Sequence, residues 1–298
     1  MSVPTTSPGS EHGIAPRGYR LPAGTRVGAV RLQVADLDRS LAYYDQVIGL
    51  RLLDRSGGVA RLGPEDGQPL VELHEHPGAT PVPRRGRLGL YHYAILLPDR
   101  PALGRFVRHL AELDVRAGMS DHLVSEALYL SDPDGLGIEV YADRPRDTWQ
   151  YAARQLVMDT GPLDVDALLR AADAGRWTGL PAKTVIGHVH LFVGDLGRAT
   201  AFYHEGLGFD QTVWSYPGAL FMSAGGYHHH VGTNTWAAGA APAGKEDARL
   251  LEWELVVPTA ADAAAALASA AGTGASVELQ GGGGVTLDPW GTAVRLRT

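Results

Sequence analysis

The chain contains no cysteine in its 298 residues. This absence excludes disulfide bonds, iron–sulfur clusters and thiolate metal sites, and it suits a reducing compartment. No apolar run approaches the ~18 residues that a membrane-spanning helix needs. The formal net charge is −7, and outside 84–87 there is no cluster of lysine and arginine that would mark a nucleic-acid surface. We therefore expect a soluble, cytoplasmic protein that binds neither nucleic acid nor a membrane.

The first 24 residues also lack the apolar segment of a secretory signal. They are rich in proline, serine, threonine and glycine, a composition that buries too little apolar surface to fold on its own. We expect residues 1–24 to form a flexible arm.

The chain does contain an internal repeat. Residues 34–44 read VADLDRSLAYY, and residues 193–203 read VGDLGRATAFY. Each segment follows a strand-like alternation of apolar residues, and each contains an Asp that suits a helix N-cap, with a Gly after the helix. The offset of 159 residues (193 − 34) indicates that the chain consists of two duplicated halves.

Each half contains a second, weaker copy of the same unit, so the chain divides into four βαβββ modules that start near Val27, Leu88, Thr184 and Leu250. This pattern predicts an α+β fold in which modules pair into two open, curved sheets, each with a groove. We predict one domain over residues 25–145, a linker with a short helix over 146–183, and a second domain over 184–298.

Three stretches carry a family resemblance: GLYHYAILLPD at 89–99, HLVSEALYLSDPDGLGIEVY at 122–141 and GHVHLFVGDL at 187–196. With them, the sequence from Val27 to Thr298 resembles the vicinal oxygen chelate superfamily of glyoxalases, bleomycin-resistance proteins and type I extradiol dioxygenases. It is most similar to the catechol 2,3-dioxygenase-like branch. That resemblance implies a homo-oligomeric enzyme that uses Fe(II), or Mn(II), and O₂ to open the ring of catechol or a substituted catechol.

The resemblance also implies a metal site made of two histidines and one glutamate, a ligand set typical of non-haem iron oxygenases. The matching positions are His92 in the second module, Glu139 at the end of that module, and His188 in the third. The first module has Ala29 at the histidine position, and the fourth has Arg295 at the carboxylate position. Only modules two and three together supply a full set, which leaves open whether they meet within one chain or between subunits.

Further residues match family positions around the metal. His122 and Tyr129 correspond to an acid/base histidine and to a tyrosine that contacts the substrate hydroxyl. The span from His122 to Tyr129 is about two residues shorter than the family spacing. His190 shares the strand face of His188 and is expected to line the pocket or support a ligand.

The segment GGYHHHVGTN, residues 225–234, contains three consecutive histidines. The resemblance favours His229 as the residue beside the O₂ site. Strand alternation then sends His228 and His230 to the opposite face, which we expect to be a solvated edge. Because a shift of one residue reverses the faces of a strand, the sequence leaves open which histidine faces the pocket.

Two other functions remain possible on the same scaffold. A glyoxalase-type isomerase or lyase would share the metal ligands but needs a fourth protein ligand, and the matching position in the first module is Ala29. A non-catalytic protein that binds a small aromatic compound, as bleomycin-resistance proteins do, would lack the metal ligands. Oxygen uptake with substrate would distinguish a dioxygenase from a glyoxalase-type enzyme. The metal content of the purified protein would distinguish a dioxygenase from a non-catalytic binding protein.

Overall fold

The computed structural model describes residues 12–298. Its first half contains two of the repeated units. Unit one comprises β1 (Arg26–Val34), α1 (Leu37–Tyr43), β2 (Arg51–Ser56), β3 (Val59–Gly63) and β4 (Val71–Glu75). Unit two comprises β5 (Gly89–Leu96), α2 (Arg100–Glu112), β6 (Gly118–Asp121), β7 (Ser125–Ser131) and β8 (Gly137–Asp143).

The linker and the second half follow. The linker contains a 3₁₀ turn (Arg146–Thr148), β9 (Tyr151–Ala152), β10 (Gln155–Leu156) and the short helix α3 (Val165–Ala171). Unit three comprises β11 (Val185–Phe192), α4 (Leu196–Ala199), β12 (Asp210–Val213), β13 (Ala219–Ser223) and β14 (Val231–Asn234). Unit four comprises β15 (Arg249–Val256), α5 (Ala260–Gly272), β16 (Val277–Gln280), β17 (Gly283–Leu287) and β18 (Ala293–Arg297).

Short polar side chains start the first helix of each half, as the repeat predicts. The Asp36 and Asp195 carboxylates accept hydrogen bonds from backbone N–H groups three residues later. Both helices continue as π-helical turns, Tyr44–Ile48 and Thr200–Gly206. Gly49 then ends the first with a φ of 86°, a conformation that glycine adopts without the steric cost other residues meet.

The strands form two eight-stranded sheets, each of which takes one unit from each half of the chain. Sheet A has the order β12-β13-β14-β11-β5-β8-β7-β6 and joins units three and two. Sheet B has the order β16-β17-β18-β15-β1-β4-β3-β2 and joins units four and one. The predicted α+β class and the pairing of modules into two open, curved sheets are confirmed. Units two and three, which are the predicted modules two and three, pair within one chain. The sequence had left open whether they pair within one chain or between subunits.

The antiparallel pair β5–β11 forms the centre of sheet A. In its register His92 lies opposite His190, and Ala94 lies opposite His188, with an irregularity on either side of this segment. On the other side of β5, the parallel strand β8 places Glu139 beside Ala94. These three neighbouring strands therefore bring side chains from distant parts of the sequence onto one face of the sheet.

The start of the described chain does not behave as a flexible arm. Ile14 bridges to Gln211 of β12 through two backbone hydrogen bonds of 2.9 Å. The Leu21 N–H donates to the Gly208 carbonyl, and the Leu21 side chain is buried. The prediction of a loose arm is therefore wrong for residues 12–24, because paired backbone groups and a buried leucine hold this segment in place. Residues 1–11 of the predicted arm lie outside the described residues.

Within residues 12–298, the longest helices have 13 residues, and none is both long and apolar enough to cross a bilayer.

Gly187 gives a test of the packing on the face of sheet A that carries Glu139 and Tyr141. A Cβ at this position would lie 1.8 Å from the hydroxyl oxygen of Tyr141, a side chain with no exposed surface. We expect Gly187→Ala to lower the free energy of unfolding by about 1–3 kcal/mol, because the buried ring or the strand must move. Urea denaturation measures this change.

Gly239→Ala is the matched control, because no atom lies within 4 Å of a Cβ at that position. Equal unfolding free energies for the two variants would contradict the close approach of Tyr141 to β11.

Candidate metal centre

His92, Glu139 and His188 converge above Ala94 of β5. His188 and Glu139 come from the strands on either side of Ala94, and His92 lies two residues before it on the same strand face. The small alanine side chain leaves the space above it to the three larger ones. All three are almost fully buried, with exposed fractions of 5% for His92, 2% for Glu139 and 1% for His188.

One carboxylate oxygen lies at the centre of this group. Glu139 Oε2 is 2.9 Å from His92 Nε2 and 3.0 Å from His188 Nε2. His188 Nε2 is in hydrogen-bond geometry with Glu139, whereas His92 Nε2 has no hydrogen-bond partner although it is buried. Neighbouring ligands of an octahedral ion with bonds of ~2.1 Å lie ~3 Å apart. The three ligand atoms, all within 4.8 Å of one another, therefore fit a cation such as Fe(II) or Mn(II).

The protonation states of the group also suit a cation. Burial lowers the pKa of His188 to about 4, against the opposing effect of Glu139. Burial alone would raise the pKa of Glu139, but the His188 and His92 imidazoles outweigh it and hold that pKa well below its usual range. A neutral imidazole and an ionised carboxylate are the forms that bind a metal ion.

A second group of potential ligands shares His188 and adds His228 and His229. Here the ring nitrogens already have partners: the two Nδ1 atoms of His228 and His229 hydrogen-bond to each other at 2.7 Å, and His228 Nε2 hydrogen-bonds to Asp143 at 3.0 Å. Metal binding by this group would break these bonds. The group with Glu139 is therefore the better candidate centre.

A cavity of about 440 Å³ opens beside the centre. Polar side chains with potential chemical roles lie on its surface together with an apolar wall. The polar set is His92, Glu139, His122, Tyr129, His190 and His229, and the wall includes Tyr91, Met158, Tyr216, Phe221 and Trp236. A cavity of this size with few, convergent polar groups is typical of small-molecule sites.

His122 and Tyr129 are in direct contact. His122 Nδ1 lies 2.8 Å from the carbonyl oxygen of Asp159, which only accepts, so Nδ1 carries the proton. In the neutral ring Nε2 is then an acceptor, and the Tyr129 hydroxyl, 2.7 Å away, donates to it. Burial, followed by the charge of Glu139, raises the pKa of Tyr129 well above its ordinary value, so the phenol keeps its proton. The short span in sequence does not prevent contact, because Leu123 turns the chain with a φ of 68°.

His190 and His229 lie on other parts of the cavity surface. His190 Nε2 is 3.0 Å from the Asn234 amide nitrogen, which donates to it. The ring of His229 packs against that of His188, with 4.0 Å between centroids. Burial lowers the pKa of both His190 and His229 well below the ordinary histidine value, so both are neutral. Asn234, four residues after the triplet in HHHVGTN, was not singled out from the sequence.

The expected solvated edge at His228 and His230 is wrong. His228 has no exposed surface, and His230 is 7% exposed. His230 Nδ1 accepts the backbone N–H of Ala224, and the carbonyl of His228 accepts a hydrogen bond from Thr212. Strand β14 begins only at Val231, so the three histidines lie in an irregular segment where strand alternation does not apply.

Asp143 is a further residue near the site that the sequence did not indicate. It is the last residue of β8, four residues after Glu139, so both side chains lie on the same face of that strand. Its carboxylate accepts hydrogen bonds from His228 and from the Tyr227 hydroxyl. The period-2 spacing from Glu139 in GIEVYAD was the signal that could have identified it.

A family model agrees with this fold and site. The model described as Glyoxalase/Bleomycin resistance protein/Dioxygenase superfamily matches residues 26–140 and 185–295. The chain therefore belongs to that superfamily, and the family resemblance found in the motifs is confirmed. Within it, the chain is 49% identical to the catechol-2,3-dioxygenase of Bacillus subtilis (strain 168) over 236 residues, which cover 78% of this chain and 82% of the relative.

Solved structures show the same architecture. A Bacillus subtilis protein assigned as a dioxygenase has a TM-score of 0.63 at 14% identity, with 93% of this chain and 86% of that chain covered. Glyoxalase I from Zea mays has a TM-score of 0.54 at 19% identity, with 92% of each chain covered. At these identities the likeness concerns the fold alone.

The candidate centre predicts a metal-binding defect. Glu139→Gln replaces the ionised ligand by a neutral amide, so we expect the affinity for Fe(II) to fall more than about tenfold, since even residues that only support ligands cost that much. Anaerobic loading with Fe(II), followed by gel filtration and metal analysis, measures the retained iron.

Glu252→Gln is the matched control, because Glu252 is also a buried strand carboxylate but lies in sheet B. Iron retention by Glu139→Gln at the parental level would rule out the centre.

His230 predicts a pH dependence of stability. Burial, with smaller effects of His228 and Arg146, lowers its pKa to about 3 in the folded chain, whereas an unfolded chain takes up this proton near ~6.5. Between these values the unfolded state binds more protons than the folded state. The contribution of His230 to the free energy of unfolding is therefore fully present above pH ~6.5 and is lost as the pH falls below it. Its slope is at most about 1.4 kcal/mol per pH unit.

We expect His230→Gln to reduce the slope of the unfolding free energy against pH between about 5 and 6.5. Urea denaturation at several pH values measures it. Gly239→Ala, which changes no titratable group and places its Cβ in open space, should leave the slope unchanged. A parental slope in His230→Gln would contradict a neutral, buried His230.

Proposed function

We propose that this chain is an extradiol ring-cleaving dioxygenase that acts on catechol or a substituted catechol with O₂. Iron(II), or manganese(II), would be held by His92, Glu139 and His188. The observation that carries the proposal is a buried set of two imidazoles and one carboxylate beside an aromatic-walled cavity of about 440 Å³. The name of the 49% identical relative, catechol-2,3-dioxygenase, supports the same reaction.

The ligand set leaves coordination positions for substrates. Bound there, ferrous iron would supply adjacent positions for two catechol oxygens and O₂, together with a path for electrons between them. The protein supplies the binding site around these positions. Phe221 and Trp236 offer apolar surface to an aromatic ring, and the volume of the cavity exceeds what catechol alone needs, which favours a substituted ring.

The His122–Tyr129 pair suits proton transfer from a substrate hydroxyl. The Tyr129 proton points to His122 Nε2, so the lone pairs of the Tyr129 oxygen are free to accept a hydrogen bond from the substrate. A proton taken from the substrate would pass through the Tyr129 hydroxyl to the lone pair on His122 Nε2, as in general acid–base catalysis. His122 Nδ1 stays fixed on the Asp159 carbonyl while this happens.

His229 suits a second proton step. It lines the cavity, and its Nδ1 is hydrogen-bonded to His228, which leaves Nε2 as the nitrogen that a bound ligand can meet. That nitrogen would exchange a proton with the reacting oxygen atoms. His190, held by Asn234, would contact the substrate or support His92, whose ring centroid is 5.0 Å away.

The glyoxalase-type alternative receives less support. Ala29, which matches the position of a further ligand, lies on β1 of sheet B and carries no ligand atom. The His122–Tyr129 pair and the free nitrogen of His229 have no assigned role in that reaction, whereas the dioxygenase uses both.

The proposal predicts oxygen uptake. Protein loaded anaerobically with Fe(II) should consume O₂ when catechol is added, and the yellow colour of a ring-opened semialdehyde should appear. We expect His229→Phe to lower kcat about 100-fold or more while iron is retained, because an acid–base residue contributes at least that factor. An oxygen electrode and an absorbance trace measure both.

Glu139→Ala serves as the inactive control, and Glu252→Gln as the active one. Absence of O₂ uptake above the metal-free protein, with catechol and with alkyl-substituted catechols, would overturn the proposal. Parental uptake by Glu139→Ala would overturn the assignment of the metal centre.

A further inference from the structure

His228 lies between the cavity residue His229 and the carboxylate of Asp143. Its Nδ1 is 2.7 Å from His229 Nδ1, and its Nε2 is 3.0 Å from Asp143 Oδ1. The ring has no exposed surface, so both nitrogens depend on these two partners. The three side chains form one continuous line of hydrogen bonds that ends at the cavity.

Donor and acceptor roles along this line follow from the carboxylate. An ionised carboxylate only accepts, so His228 Nε2 must carry the proton in the bond to Asp143. When His228 carries a single N–H, that N–H is the one on Nε2, so its Nδ1 is an acceptor and His229 Nδ1 donates to it. The single proton of a neutral His229 is therefore on Nδ1, and its Nε2 carries a lone pair.

Asp143 is itself fixed as an acceptor. The Tyr227 hydroxyl donates to the same Oδ1 at 3.2 Å, and Tyr227 is hydrogen-bonded to Tyr141 at 2.6 Å. Because the Tyr227 hydroxyl donates its proton to Asp143, it accepts the hydrogen bond from the Tyr141 hydroxyl. The Asp143 side chain is 25% exposed, so water also stabilises its charge.

We propose that Asp143 and His228 are positioning residues that hold His229 in one tautomer, with the proton on Nδ1 and the lone pair of Nε2 directed to the cavity. This assignment rests on the proposed function only for its role in catalysis; the tautomer itself follows from the hydrogen bonds. His229 then meets a bound ligand as an acceptor of a proton or hydrogen bond, and it donates a proton only after it has received one.

The consequence for the triplet of histidines is a division of roles. His229 lies on the surface of the cavity. His228 does not line the cavity, so it acts only through its hydrogen bond to His229. His230 faces another partner, the Ala224 N–H. His228 suits this role because a single ring offers a donor to the Asp143 carboxylate and an acceptor to the His229 N–H.

Nitrogen NMR tests the tautomer directly. In protein labelled with ¹⁵N on its histidine rings, long-range ¹H–¹⁵N spectra distinguish Nδ1–H from Nε2–H rings. We expect Nδ1–H for His229 and Nε2–H for His228, both in the metal-free chain and after loading with Zn(II), which is diamagnetic. Spectra of the His228→Gln and His229→Phe variants assign the signals. A proton on His229 Nε2 would overturn the proposal, whatever the activity.

Two substitutions at 228 separate positioning from packing. In His228→Gln, the amide N–H reaches Asp143 and the amide oxygen accepts the His229 Nδ1–H, so the tautomer is kept. In His228→Phe, the ring packing is kept but both hydrogen bonds are lost. We expect kcat with catechol to be at least about tenfold higher in the Gln variant than in the Phe variant, with similar KM and iron content.

If packing were the only role of His228, the order would be reversed, with the phenylalanine variant equal or better, and the positioning role would fall. Should His228→Phe fail to fold, the wild-type spectra still decide the tautomer. The proposed function fails separately: a wild-type protein with the expected tautomer but no O₂ uptake would retain this inference and lose the dioxygenase.

Discussion

The antiparallel pairing of β5 with β11 is the interaction on which the candidate site depends. It joins two units that are separated by almost a hundred residues, and its register sets His188 opposite Ala94, next to Glu139 on β8. A slip of one residue would turn His188 to the other face and separate it from Glu139. Backbone hydrogen bonds between the two halves of the chain thus determine a geometry that the side chains alone could not hold.

Sheet B shows what the same architecture becomes without the ligands. There β15 and β1 pair as β11 and β5 do, but Ala29 replaces a histidine and Arg295 occupies the place of the carboxylate. Arg295 donates to Glu252 at 2.6 and 2.8 Å, and Arg31 also pairs with Glu252. In this groove arginines neutralise the buried carboxylates, whereas in sheet A the partners of Glu139 are the imidazoles of His92 and His188. The duplicated fold has therefore kept the pairing of its units and changed the charges within the groove.

The sequence predicted the four modules, the two paired sheets and the residues of the candidate centre, because strand periodicity, helix caps and motif positions are local signals. The sequence left the partner of each module open, because the first strand of a module pairs with a strand from a distant part of the chain. Local sequence patterns carry no signal for that pairing. Alternation failed at 228–230 for a local reason: Gly225 and Gly226 have positive φ angles, and the chain is not yet a strand before Val231. Asp143 was overlooked because its role depends on His228, which reaches it only in the folded chain.

Charge balance explains why so many histidines surround one glutamate. Burial keeps His188, His190 and His229 neutral, and Glu139 is held in its ionised form. In the form that binds a metal ion both imidazole ligands are neutral, so the ligand set carries a charge of −1. A divalent cation would bring the centre to +1, which favours a ligand with one negative charge over a neutral or doubly charged one. Under the proposed function, a catechol that has lost one proton would meet that condition, and the lone pairs on His122 and His229 would receive the remaining proton. Arginines in the same groove would remove this preference, because they add the fixed positive charge that Arg31 and Arg295 bring to Glu252 in sheet B. Imidazoles thus place hydrogen-bonding groups around Glu139 without the fixed positive charge that an arginine would add.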